Sequence, residues 1–142
     1  MIRAQFAEPG KYKEAGLMVK KNTILIIDDE PIVGDALMTV LSDCGYEVTV
    51  VRTGREGIER ASKQRFDFTI TDFRLPDMTG LEVLSSIREQ DPCSLIIVIT
   101  AYSTPEIVAE SKSRGAIDVL GKPFSPSDVL GILAKSLGNQ SS

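Results

Sequence analysis

Four short apolar runs in this chain each end on a polar residue, and the endings are Asp28-Asp29, Asp72, Thr100 and Lys122. From Thr23 onward such runs alternate with amphipathic stretches, the pattern of βαβ units around a parallel sheet. The expected strands are 23–27, 47–51, 68–71, 95–99 and 117–120. The first and fourth are apolar nearly throughout, which suits strands covered by helices on both faces. Parallel strands end along one edge, so three carboxylates, a hydroxyl and an ammonium would converge there.

Five helices are expected between and after these strands. The first carries the clearest stripe, with Val33, Leu37, Val40, Leu41 and Cys44 recurring at intervals of three and four. Pro31 suits its first turn, where a missing N–H is no loss, and Gly45 suits the left-handed position at its end. The second helix, over 55–63, has a thin apolar face of Ile58 and Ala61. The third, 80–89, buries Leu81, Leu84 and Ile87; the fourth, 105–113, is capped by Gly115. The fifth begins after Ser125-Pro126 and turns Val129, Leu130, Leu133 and Leu137 inward. Residues 1–20 read as a flexible extension without chemistry, 21–138 as one domain and 139–142 as a disordered tail.

A chain of 142 residues supports one core, burying about two-thirds of its unfolded surface. The net charge of -4 comes without a long basic run, so direct nucleic-acid binding has no electrostatic support. The longest apolar stretch, 95–99, falls far short of the roughly 20 residues of a membrane span. Residues 1–16 lack the apolar centre of a secretory signal, and a cytoplasmic protein off the membrane is expected. Cys44 and Cys93 lack metal-ligand spacing and there is no histidine. That argues against zinc, removes Ser-His-Asp and Cys-His catalysis, and leaves the thiols as buried or idle.

Asp28 and Asp29 end the first strand where a helix begins. Two carboxylates about 4 Å apart repel by roughly 4 kcal/mol at an effective dielectric near 20, so the pair calls for a cation or a shared proton. The same residues also suit capping of the first helix. Asp72 tips the balance: if the third strand lies beside the first, all three acids share a pocket suited to Mg2+. A hydroxyl and an ammonium there, Thr100 and Lys122, would donate hydrogen bonds to a phosphoryl group on a carboxylate. Three carboxylates also balance the charge of one Mg2+ and one lysine. Taken singly, Asp72 reads as a turn former, Thr100 as strand filler and Lys122 as a solvated charge.

Four motifs together resemble the response-regulator receiver domain of two-component signalling: Ile24-Leu25-Ile26-Ile27-Asp28-Asp29-Glu30-Pro31, Asp72 to Gly80 with Pro76, Ile99-Thr100-Ala101, and Gly121-Lys122-Pro123-Phe124. The resemblance implies a flavodoxin-like (βα)5 three-layer α/β sandwich with a parallel five-stranded sheet of order 2-1-3-4-5. It implies that Asp72 accepts a phosphoryl group from the phosphohistidine of a sensor histidine kinase or phosphotransfer protein. Asp29, Asp72 and the backbone carbonyl of Arg74 would ligate Mg2+, with Asp28 acting mainly through water. Thr100 and Lys122 would hold the phosphoryl oxygens, and the Lys122-Pro123 bond would be cis. Autodephosphorylation would reset the switch, making the chain a regulator rather than an enzyme. Its output surface would be the fourth helix, fifth strand and fifth helix, facing a downstream protein target or effector domain. A homodimer through that face fits the resemblance, though no residue pattern specifies it.

Receiver domains usually carry an aromatic three residues before the lysine, where this chain has Val119. Tyr102 is therefore expected to take part in coupling. Arg74 and Tyr102, two residues beyond the phosphoacceptor and the threonine, would border the path of attacking water. An aspartate-nucleophile phosphohydrolase shares the Asp, Thr, Lys and Mg2+ set, but it needs a second aspartate two residues after the nucleophile. Position 74 is arginine. Nucleotide binding fares worse, with no G-x-G-x-x-G after the first strand and a glycine-to-glycine spacing one residue too long for a P-loop.

Overall fold

The computed structural model describes residues 11–14 and 17–141. Lys11–Glu14 (β1) and Leu17–Lys20 (β2) pair antiparallel in a two-stranded sheet of their own. The sequence reading assigns no element to this stretch, because the one apolar run in these two four-residue strands, Leu17-Met18-Val19, is short and stands between lysines and a glycine. The rest of the extension, 1–10 and 15–16, lies outside the described residues, as does residue 142.

The main sheet contains Thr23–Ile27 (β3), Glu47–Val51 (β4), Phe68–Asp72 (β5), Leu95–Thr100 (β6) and Asp118–Gly121 (β7). Its order is β4-β3-β5-β6-β7 with every pairing parallel. Counted along this sheet alone, that is the expected 2-1-3-4-5. The strands end within a residue of their expected limits, and the differences matter locally: Asp72 and Thr100 are the last residues of β5 and β6 rather than the first beyond them. Register places Asp72 opposite Ile99 and Thr100 opposite Gly121.

Alternation along the strands divides the core between two faces. Ile24, Ile26, Phe68 and Ile70 pack with Leu37 and Leu41 of the first helix (α1, Pro31–Asp43) and with Val129 and Leu133 of the last (α5, Pro126–Ser141). Leu25, Ile27, Ile96 and Val98 face the other way, against Val83, Leu84 and Ile87 of α3 (Gly80–Gln90). α2 (Gly54–Lys63) and α4 (Pro105–Ser113) complete the layers. Burying ten or so such side chains, each worth about 1.5–3 kcal/mol, holds the strand ends in place for the chemistry at their edge.

Local signals act as expected at most helix ends. Pro31 occupies the first turn of α1, and Gly45 adopts φ +100 just past its end, a region where a β-carbon is strained. Thr79 and Glu82 form a reciprocal capping box on α3. Two readings are corrected. Cys44 lies at the end of the α1 stripe but is exposed, as is Cys93, because α1 has finished turning toward the sheet by Asp43; both thiols are free. α2 buries Gly54 and Gly57, while Ile58 and Ala61 are only half-buried. A side chain at Gly57 would run into Ile27, so this helix approaches the sheet by lacking side chains. The last helix continues through Ser141, beyond residue 138, the expected end of the domain.

Candidate functional site

At the carboxyl edge of β3 and β5, Asp28, Asp29 and Asp72 each offer a carboxylate oxygen within 4.8 Å of the others. Adjacency of β3 and β5 brings residues more than forty positions apart into this cluster. Asp28 and Asp72 are buried and Asp29 is exposed, which leaves one side open to water. The acids are not spent on capping: Glu30 is the N-cap residue of α1 and makes no side-chain cap bond.

Asp28 Oδ1 accepts the Glu30 N–H at 2.9 Å. Its Oδ2 is buried, accepts no hydrogen bond and faces the Lys122 ammonium at 3.5 Å. Burial pushes the Asp28 carboxyl up to about 6, aided by the neighbouring Asp72 charge and opposed by the Glu30 N–H and by Lys122. An orphaned buried carboxylate oxygen inside an all-oxygen acid cluster fits a hard divalent cation such as Mg2+ or Ca2+.

Lys122 sits two residues past Leu120 on β7, and its backbone N–H donates to Thr100 O at 2.7 Å. The ammonium donates to Asp72 Oδ2 at 3.0 Å and also to Glu30 Oε1. Burial pulls this ammonium down, but the bonds to Glu30 and Asp72 and the surrounding acid charges outweigh it and hold its pKa above the usual lysine value. Glu30 is a partner the sequence reading missed; its place directly after Asp28-Asp29 was the available signal. The Lys122-Pro123 bond is cis.

Thr100 is buried, and its Oγ1 accepts the Tyr102 N–H at 2.9 Å. That bond turns the hydroxyl proton free to donate elsewhere. The Arg74 N–H reaches Asp72 Oδ1 at 3.3 Å, placing its peptide against the cluster. Its guanidinium lies 5.5 Å from the centre of the exposed Tyr102 ring. Asp28, Asp29, Asp72, Arg74, Thr100, Tyr102 and Lys122 therefore lie at this edge, and the Arg74–Tyr102 contact joins two that sequence spacing alone could not connect.

An open parallel sheet whose strand order reverses between β3 and β5, with acids, a threonine and a lysine at the reversal, is a doubly wound α/β domain with its site at the topological switch point. The model of the response regulator receiver domain matches residues 24–134, and the chain belongs to that family. Chemotaxis protein CheY of Thermotoga maritima is 34% identical over 113 residues, covering 79% of this chain and 94% of that protein. Transcriptional regulatory protein ZraR of Escherichia coli (strain K12) is 32% identical over 116 residues, covering 82% of this chain and 26% of that larger protein. Among solved structures, a CheY-like receiver domain protein from Methanospirillum hungatei superposes with TM-score 0.82 at 31% identity, covering 86% of this chain and 98% of that one. TrrA of Thermotoga maritima, in complex with Mg(2+)-BeF, gives TM-score 0.72 at 30% identity over 80% of this chain and 97% of that one. No helix among the described residues is long and apolar enough to cross a membrane.

Proposed function

We propose that this receiver domain is a Mg2+-dependent phosphorylation switch with Asp72 as phosphoacceptor. The observation that carries the reading is the Asp72 carboxylate, buried, placed within reach of two further acids and bonded through Oδ2 to Lys122. Asp29, Asp72 and the Arg74 carbonyl would hold the cation, with Asp28 acting mainly through water. When bound, Mg2+ supplies charge neutralisation between the acids and the incoming phosphoryl oxygens.

An Asp72 oxygen attacks phosphorus; the P–N bond of the donor phosphohistidine breaks, and its electron pair stays on the imidazole. Lys122 and the Thr100 hydroxyl donate to phosphoryl oxygens. Water later attacks phosphorus, the acyl P–O bond breaks, and inorganic phosphate leaves with the Asp72 carboxylate restored. Incubation with acetyl phosphate and Mg2+ should give a base-labile adduct seen by intact mass, which does not form when the Mg2+ is chelated beforehand. Absence of any adduct under those conditions rejects the reading.

Phosphorylation would draw Thr100 toward the new oxygens and carry the segment after β6 with it. α4 follows that segment and buries little beyond Ser111, so it can shift without dismantling the core. The surface of α4, β7 and α5 is thus the output face toward a downstream protein or effector domain, operating with Val119 in place of an aromatic.

The phosphodonor must approach Asp72 from beside α1. Ile32 there is 83% exposed and lines an apolar groove of about 420 Å³ with Val33, Ala36, Pro123 and Phe124, to which Glu30 and Lys122 also contribute. A histidine-bearing donor protein fits this groove, since only such a partner must touch both it and the acid cluster. Ile32→Asp should slow transfer from a protein donor by about tenfold or more, an interface-anchor effect, and leave acetyl phosphate labelling unchanged. Equal slowing with both donors would place Ile32 in the chemistry or the fold instead.

Arg74 and Tyr102 flank the open side of Asp72. An exposed cation–π pair is worth about 0.5–1 kcal/mol, so Tyr102→Ala should shorten the adduct lifetime by roughly two- to fivefold as water gains access. An unchanged decay rate in both Tyr102→Ala and Arg74→Ala would end this role.

A further inference from the structure

The segment between the phosphoacceptor and α3 is fastened at its tip to a different helix. Asp77 Oδ1 accepts the Gly54 N–H at 2.9 Å and Oδ2 accepts the Arg55 N–H at 2.9 Å. These are the first two N–H groups of α2, donors with no partner inside the helix, and a carboxylate there also meets the positive end of the helix dipole. Beside this bond Met78 packs onto α2, at a point where a side chain on Gly54 would collide with it.

At its base the same segment folds back on itself. Phe73 N donates to Ile99 O at 2.7 Å, Gly80 N to Phe73 O at 2.6 Å and Leu75 N to Met78 O at 3.1 Å, and Arg74 bridges Thr79. Tip and base are thereby joined through backbone bonds, so the anchor of Asp77 on α2 bears on where Arg74 sits.

We infer that Asp77 is a positioning residue for the acid cluster: by anchoring the segment to α2 it holds the Arg74 peptide against Asp72 and so sets the cluster's affinity for a divalent cation. This rests on the reading above that the cluster and the Arg74 carbonyl take Mg2+. The anchor acts from the exposed surface, touches neither cation nor phosphoryl group, and ties the site to α2, an element otherwise outside the switch.

The test compares two ways of weakening α2. Asp77→Ala removes the anchor. Thr53→Ala removes the capping hydroxyl at the α2 N-terminus, where Thr53 Oγ1 accepts Glu56 N at 3.1 Å and donates to Glu56 Oε1 at 3.3 Å, and leaves 73–80 untouched. Calorimetric titration with MgCl2 should show Asp77→Ala weakened about tenfold, the scale of groups that orient metal ligands without binding the metal, and Thr53→Ala close to wild type. Asp77→Asn, which keeps one acceptor oxygen, should fall between. Hydrogen exchange at the Arg74 amide should speed up in Asp77→Ala alone. Wild-type Mg2+ affinity in Asp77→Ala, or equal weakening in Thr53→Ala, overturns the positioning role and leaves the phosphoacceptor reading standing. A wild-type protein that takes up no Mg2+ removes both.

Discussion

Asp72→Asn should abolish labelling by acetyl phosphate and Mg2+ while the protein stays folded. The amide lacks the nucleophilic carboxylate oxygen, so no acyl phosphate can form at this position. Structure argues that the loss is chemical. Asparagine keeps an acceptor for either the Arg74 N–H or the Lys122 ammonium, and Lys122 retains Glu30 and Asp28 as partners. One negative charge also leaves a cluster in which Asp72 itself raises the neighbouring Asp28 carboxyl. Thermal unfolding without metal should therefore be unchanged or shifted upward. Added Mg2+ tells the two proteins apart: at 100 times its dissociation constant it should stabilise the wild type by about 2.7 kcal/mol, and much less in Asp72→Asn. Labelling that persists in the variant would move the phosphoacceptor to another residue.

Most of this edge was legible in the sequence because a parallel sheet converts strand endings into neighbours. Asp28, Asp72, Thr100 and Lys122 could be placed together from apolar runs alone, before any side-chain contact was known. What escaped are contacts between connections. Asp77 and Gly54 are separated by 23 residues, and Asp77 reaches the first residue of α2 from a loop whose conformation no periodicity encodes. An aspartate in Leu75-Pro76-Asp77 reads equally well as a plain turn residue. Gly57 escaped for a related reason: apolar patterning scores side chains, and this helix reaches Ile27 through the absence of one. The β1–β2 pair carries only the three-residue apolar run Leu17-Met18-Val19, and cross-strand pairing between two four-residue segments leaves little trace in composition. Burial of Asp28 was not legible either, since an acid at a strand end is ordinarily wet.

That burial predicts an unusual pH profile. The Asp28 carboxyl rises from 3.8 to about 6 on folding, so between these values the native state holds a proton that the unfolded chain has released. Stability from this group is then fully present below about pH 4 and declines as pH climbs through 6, by about 3 kcal/mol across the window. The Asp77 carboxyl slopes the opposite way: desolvation, which would raise it, is outweighed by the Arg55 and Gly54 N–H bonds, and it is held below its usual value. The informative quantity is the difference between wild type and Asp28→Asn in metal-free buffer. Denaturant midpoints should converge toward pH 4 and separate above 6, with the asparagine variant more stable. Mg2+ should reverse the trend, because a cation in the cluster, reached by the orphaned Asp28 Oδ2 through water, would offset the charge that the proton otherwise removes. Its affinity should fall by up to about tenfold per pH unit below 6. Parallel stability profiles for the two proteins, together with flat Mg2+ affinity from about pH 7.5 to 5, would show that Asp28 carries its charge in the folded state without a cation to offset it.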